Sequence, residues 1–244
     1  PHPGDRFMSL TLFRFTDEAS WIEAGLDIFR GLFRQAPDRK NVERRGGALH
    51  IALSGGSTPI ALYKAMAADS ACSELSNGLD LHFWVGDERE VPAESSERNG
   101  KMIQDMLGGG CRWEKRPILH LWPEGDREKA CVLYAEELRR AMGDRPVFEL
   151  VLLGMGQDGH TAGLFTIDDI ERGREGEHCL STDAPSEPRN RMTMSAQLLR
   201  NGRTHLVLLK GGGKNAMLEA LLAGSVRLPI REVLNGDSRI FQLC

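Results

Sequence analysis

The stretch FELVLLGMGQDGHTAGLF, Phe148 to Phe165, leaves this chain few folds to choose from. Val151, Leu152 and Leu153 in succession suit a strand, Phe148 to Leu153, covered on both faces as in a parallel sheet. Gly154, Gly156 and Gly159 follow at once. They permit backbone conformations that a side chain blocks, and they let a ligand come close. Ligands of open α/β sheets bind beyond the carboxyl ends of the strands, so Asp158 and His160 are expected to point into that crevice. The same glycines spell G-x-G-x-x-G, a weak dinucleotide signal. The segment after Phe165 is polar and irregular, not a long amphipathic helix leading to a second strand, and the nicotinamide or flavin reading is set aside.

The same punctuation recurs. Ala48 to Leu53 reads as a short buried strand and runs directly into SGGSTP, Ser54 to Pro59. Ser57 or Thr58 can cap the helix that continues through Ile60 to Ala68, with Pro59 in its first turn. Free amides of Gly55 and Gly56, the helix dipole and two hydroxyls suit an anion; a tight turn with an ordinary cap is the plainer alternative. No G-K-[ST] closes the loop, so it is not a Walker loop. Thr204 to Leu209 is another strand, and KGGGK carries Lys214 into a helix at Asn215 to Ala223. A lysine at a helix start opposes the dipole, which an anionic ligand would explain. Leu79 to Val85 is a strand ending in GDERE, where Asp87, Glu88 and Arg89 read either as a solvated charged loop or, from their place at a strand's carboxyl end, as functional residues, and Arg89 can grip a phosphate through two nitrogens.

The remaining segments fill in the pattern. Helices are expected at Thr16 to Gln35, Ser96 to Leu107 and Asp126 to Met142, the last burying Ala130, Leu133, Tyr134, Leu138 and Ala141. Strands are expected at Pro117 to Trp122, Arg191 to Ser195 and Arg239 to Leu243, with His120 a satisfied structural histidine. Residues 37–47 read as a loop. Residues 166–190 are polar and read as a flap beside the site, with one short strand near His178 to Thr182. Strands alternate with helices throughout, which predicts an α/β fold: a single doubly wound, mainly parallel, Rossmann-like sheet with helices on both faces. One domain is expected over 1–244, with residues 1–7, before Met8, read as an appended tag.

Composition bounds the function. A net charge of -4 and a pI near 6.0 argue against a general nucleic-acid binder. The five cysteines are odd in number, widely spaced and without a C-x-x-C pair, so a disulfide framework or zinc site is not expected and a cytoplasmic location fits. No apolar run is long enough to span a bilayer, no signal peptide is visible, and no membrane partner is expected. No H-E-x-x-H, histidine pair or G-x-S-x-G is present. What converges on one crevice is an anion cradle at Ser54, Gly55, Gly56, Ser57 and Thr58, the cations Arg89, Arg191 and Lys214, and one histidine suited to proton transfer near neutral pH. Gly156 and Gly159 are candidate amide donors to an oxyanion.

These motifs resemble the 6-phosphogluconolactonase family: SGGSTP, then DER with Val91-Pro92 after it, then GMGQDGHTAGLF, then GGGK, in the family's order over roughly residues 50 to 220. The resemblance implies the fold shared with glucosamine-6-phosphate deaminase and ribose-5-phosphate isomerase. It also implies metal-free, cofactor-free hydrolysis of 6-phospho-D-glucono-1,5-lactone in the oxidative pentose phosphate pathway, by a monomer or weak homodimer. On that resemblance His160 is the catalytic base and Asp158 its orienting partner. Arg89 and Lys214 fall where the family binds phosphate, and Arg191 lies in the match to its R-[IM]-T segment. Two positions depart from the family: Thr166 stands where proline is usual, and Arg98-Asn99 where Ser-Asn is usual. Two rivals remain: an amino-sugar phosphate deaminase-isomerase, disfavoured by Thr161 to Phe165 in place of Ile-Ala-Phe-Asn-Glu, and a sugar-phosphate sensor without turnover.

Overall fold

Short apolar runs each bounded by glycine or an acidic cap give this chain its alternation, which a computed structural model describes over residues 10–36, 48–173 and 176–244. The expected tag at 1–7 and loop at 37–47 lie outside the described residues. In chain order the elements are β1 (Leu10–Phe15), α1 (Glu18–Gln35), β2 (Ala48–Leu53), α2 (Ile60–Ala68), α3 (Ser70–Ser76), β3 (Asp80–Val85) and β4 (Asp87–Arg89). Then come α4 (Asn99–Ile103), which runs on as a π-helical turn Gln104–Gly109, β5 (Ile118–His120), α5 (Arg127–Met142), β6 (Leu150–Leu153) and α6 (Ile167–Arg172). The chain closes with β7 (Cys179–Asp183), β8 (Asn190–Met194), α7 (Ala196–Arg200), β9 (Thr204–Lys210), α8 (Asn215–Ala223), α9 (Pro229–Val233) and β10 (Ser238–Leu243).

Seven strands form the main sheet in the order β1-β10-β9-β6-β2-β3-β5, every neighbouring pair parallel. This is the expected fold class. All four residues of β6 are buried, as its continuous apolar run requires. The order runs outward from β2 through β3 to β5, then returns to β6 and runs outward the other way. The reversal lies between β2 and β6, in register at Ile51–Leu150 and Ala52–Val151. Such a reversal opens a crevice beyond the strand ends, because consecutive connections depart to opposite sides.

A second sheet, β4-β8-β7, is antiparallel. It changes one reading and extends another. Asp87–Arg89 is not a solvated loop but a strand paired with β8. Within residues 166–190, expected to be a flap with one short strand, that strand is β7, one residue along and mostly buried, while α6 is an addition the sequence reading lacked. Thr166, in the family's proline position, starts α6. Its hydroxyl accepts from Asp169 N at 3.1 Å while Asp169 Oδ2 accepts from Thr166 N at 2.9 Å, a reciprocal capping box.

The core around β3 fixes where β4 begins. Tyr134 Oη accepts from Val85 N at 3.0 Å and donates toward Val85 O, while Trp122 Nε1 donates to Val85 O at 2.8 Å. Trp122 and Tyr134 stack with ring centroids 4.1 Å apart. The buried face of α5 is Ala130, Cys131, Tyr134, Ala135 and Leu138; Leu133 and Ala141, expected inside, are exposed. The sequence pattern also leaves β1, α3 and α9 unannounced. The helix expected from Ser96 begins three residues later, because Arg98 is drawn inward. Its guanidinium donates to Val91 O at 2.9 Å and to Trp122 O, and lies 3.7 Å from Glu88.

Candidate active site

The turn after β2 holds the first wall of the crevice. Gly56 has φ 82°, a left-handed conformation natural only to glycine. A Cβ at Gly55 would stand 2.0 Å from the Asn99 side chain, so this loop sits tight on α4. Neither Ser57 nor Thr58 caps α2, contrary to the sequence reading. Pro59 occupies that position and no side chain caps it, because Thr58 and Pro59 already form a turn before the helix. Both hydroxyls therefore line the crevice, together with Ser54, Gly55 and Gly56.

The turn after β6 holds the second wall. Asp158 Oδ1 lies 2.6 Å from His160 Nδ1 and accepts from His160 N at 3.2 Å. Burial raises the Asp158 pKa, but the His160 amide and imidazole outweigh it and the net shift is downward. An ionised carboxylate only accepts, so Nδ1 donates to it, and in the neutral imidazole that tautomer leaves the lone pair on Nε2. Gly156 is a glycine for a steric reason: a Cβ there would lie 2.2 Å from His160 Nδ1. Below the turn, Thr161 Oγ1 donates to Gly154 O at 2.7 Å, and Gly163 N donates to Thr193 Oγ1 at 3.1 Å, which ties the motif to the small sheet.

The proposed oxyanion donors are corrected by the turn's own bonding. Gly156 N donates to His160 O at 2.8 Å and Gly159 N to Gly156 O at 3.2 Å. Both amides are consumed in holding His160, so neither stands open to a ligand.

The third wall is cationic. Arg89 and Arg191 are directly opposite each other across β4 and β8. Like charges facing across a strand pair repel, and burial followed by the Arg89 charge pushes the Arg191 pKa down. Arg191 Nε donates to Pro188 O at 2.7 Å, and its guanidinium lies 5.6 Å from the Phe165 ring centroid. Arg89 donates to Glu97 O through one terminal nitrogen, while its buried Nε has no acceptor. Lys214 ends a 3-10 turn before α8, and burial pushes its pKa down. All three cations line one open cavity of about 380 Å³ with His160 and the Ser54–Thr58 loop. Among the described residues, no group of three or more His, Cys, Asp or Glu side chains is arranged to hold a metal ion.

Several residues that the sequence reading did not place in the site also line this cavity: Asp87, Asn99, Phe165 and Ala184 to Ser186. Asp87 and Arg89 share a face because they are two apart on a strand, and this alternation was the signal available in DER. Glu88 points the other way, is wholly buried, and accepts from Arg89 N, Asn99 N and Gly100 N at 2.8, 2.8 and 2.7 Å. His120, read as structural, bonds His82 and Glu137 and stacks on Trp84, away from the cavity lining. No described helix is long and apolar enough to cross a membrane.

A family model described as glucosamine-6-phosphate isomerases/6-phosphogluconolactonase matches residues 34–241. A 6-phosphogluconolactonase of Pseudomonas putida is 31% identical over 202 residues, covering 80% of this chain and 79% of its own length. The GDH/6PGL endoplasmic bifunctional protein of Oryctolagus cuniculus is 36% identical over 178 residues, which are 70% of this chain but only 22% of that much longer protein. Among solved structures, a 6-phosphogluconolactonase from Thermotoga maritima superposes with a TM-score of 0.78 at 24% identity, covering 96% of this chain and 99% of its own.

Proposed function

The chain belongs to the glucosamine-6-phosphate isomerase/6-phosphogluconolactonase family, and we propose that its reaction is hydrolysis of 6-phospho-D-glucono-1,5-lactone to 6-phosphogluconate, the lactonase step of the oxidative pentose phosphate pathway. The observation that carries the reading is His160, held 2.6 Å from Asp158 and lining the same cavity as Arg89, Arg191 and Lys214. One group removes a proton; the others grip a dianion.

Nε2 of His160 takes a proton from water as the water oxygen bonds to the lactone carbonyl carbon. The tetrahedral adduct then breaks its bond to the ring oxygen, which leaves with a proton, and the carboxylic acid ionises. Asp158 holds the imidazole in the tautomer that presents Nε2 and stabilises the imidazolium. Such a base contributes about a hundred- to ten-thousandfold. The phosphate is remote from the reacting carbon. Its contacts with the three cations and with Ser54, Gly55, Gly56, Ser57 and Thr58 supply binding energy that places the ring. It also relieves the repulsion between Arg89 and Arg191.

The test is proton release on addition of freshly generated lactone, with spontaneous hydrolysis subtracted, for the native chain and His160→Ala. A fast native chain and a variant about a hundredfold or more slower supports the reading. A variant as fast as the native chain removes His160 from the mechanism. A native chain at background that releases ammonia from glucosamine 6-phosphate moves the assignment to the deaminase branch of the family.

A further inference from the structure

Asp87 is an anion in the wall of an anion site. It is 7% exposed and lines the same cavity as Arg89, Arg191 and Lys214. No described cation lies within ion-pair distance of its carboxylate; burial raises its pKa, opposed by the charges of Arg89, Arg191 and His160 and by the Asn99 side chain beside it. Its placement is rigid. Asp87 pairs with Thr193 across β4 and β8, and its carbonyl accepts from Asn99 Nδ2 at 2.9 Å. The next residue, Glu88, is locked by three amides. Burying a carboxylate is costly unless hydrogen bonds are made to it. This one has been brought to the cavity surface and fixed there.

The cations and open loop amides of the cavity differ from it in kind. Arg89, Arg191 and Lys214 only donate, and the amides of Gly56 and Ser57 donate to no acceptor among the described residues. A phosphate takes all of these and is repelled by Asp87. A sugar ring is different: each ring hydroxyl that leaves water needs an acceptor for its proton, and a carboxylate accepts from one or two at once. We propose that Asp87 is the specificity residue of the site, accepting hydrogen bonds from ring hydroxyls of the sugar while the cations hold the phosphate. The proposal rests on the sugar-phosphate reading above and deepens it. It assigns the cavity two poles, one for the phosphate and one for the polyol.

Two measurements test it, one of which needs no turnover. Calorimetric binding of 6-phosphogluconate and of inorganic phosphate is compared for the native chain and Asp87→Asn. The variant keeps the shape and loses the charge. Expected is a 10- to 100-fold weaker affinity for the sugar acid, the worth of about one hydrogen bond to a charged group, with phosphate bound as well or better. Equal weakening of both ligands, or of neither, overturns the proposal. This arm reads out even if the chain proves to bind sugar phosphates without hydrolysing them.

The second measurement is kcat/KM for the lactone and its 2-deoxy and 3-deoxy analogues. The native chain is expected to lose 10- to 100-fold on at least one deoxy lactone, and Asp87→Asn to treat that analogue and the parent alike within about threefold. Losses that multiply independently, or an Asp87→Asn effect confined to the pH profile of kcat, place Asp87 on His160 instead and overturn the assignment.

Discussion

Replacing Glu88 with glutamine tests whether one buried carboxylate holds the cation wall in place. Glu88 Oε1 accepts two amides and Oε2 a third, at 2.7–2.8 Å, with Arg98 Nε 3.7 Å away. Glutamine offers one oxygen. Placed where Oε1 is, it keeps the bonds to Arg89 N and Asn99 N as neutral ones, each about 1 kcal/mol weaker. Its NH2 then faces Gly100 N–H, and an unpaired buried donor costs about 1–3 kcal/mol. Arg98 also loses its counter-charge. In the other direction, burial raises the Glu88 pKa against the pull of those amides, so removing the charge recovers about 1 kcal/mol of desolvation. The net is a loss of about 3 kcal/mol, or about 6–12 °C in melting temperature for a chain of this size. Urea unfolding of the variant should show that loss with an unchanged slope. Glu94→Gln is the control, since Glu94 is 92% exposed and 3.9 Å from its cation; it should cost under about 0.5 kcal/mol. A Glu88→Gln protein within about 0.5 kcal/mol of the native chain would refute the reasoning.

Acid should destabilise the fold through His50, whose pKa is pushed down to about 3 by burial and then by the charges of His82 and His120. Its Nδ1 accepts from Trp84 Nε1 at 3.0 Å and so stays unprotonated in the fold. Unfolded, it binds a proton near pH 6.5. Stability is therefore complete above that value and lost as pH falls, by about 1.4 kcal/mol at pH 5.5 from this residue. Urea unfolding at pH 7.5 and 5.5 should show His50→Gln losing that much less than the native chain; equal losses would exclude His50 as the source. Gly156→Ala puts a Cβ 2.2 Å from His160 Nδ1 and 2.6 Å from Asp158 Oδ1. It should cut lactone hydrolysis at least about tenfold while thermal melting moves only a few degrees, and near-native activity would show that the pair tolerates displacement.

What could be read from the residues was whatever is local. The strand before Gly154, the helix from Asp126 and the order of motifs need only neighbours in sequence, and β6, α5 and the parallel sheet follow them. Long-range partners were not legible. Asp87–Arg89 looks like a charged loop until β8 arrives to pair with it. Thr166 looks like a departure from a pattern until Asp169 closes the capping box. The polar 166–190 segment showed β7 as a short strand but hid α6, whose capping box depends on Thr166 and Asp169 meeting. Leu133 has helical spacing yet faces out, because the contact face of α5 is set by β7 and β8. His160, Arg89, Arg191 and Lys214, named in advance, line one cavity; Asp158, expected to point into it, is not in its lining and meets it only through His160. Asp87 was left open between a solvated loop and a functional role, since its direction depends on a strand pairing with β8.

The reversal of strand order between β2 and β6 has a consequence for how the protein comes together. The loops of the cavity follow β2, β6 and β9, its cation wall spans the β4–β8 pair, and the main sheet gains its edge strand only when β1 meets β10, some 228 residues along the chain. Contacts of such span are slow to form, because loop closure precedes any gain from them. A state with one half of the sheet formed owns half a cavity and has nothing with which to hold a dianion. Ligand therefore stabilises the finished molecule and no precursor. During refolding, the ability to capture a phosphate should lag the return of secondary structure, and the cavity serves as the molecule's own record of having closed.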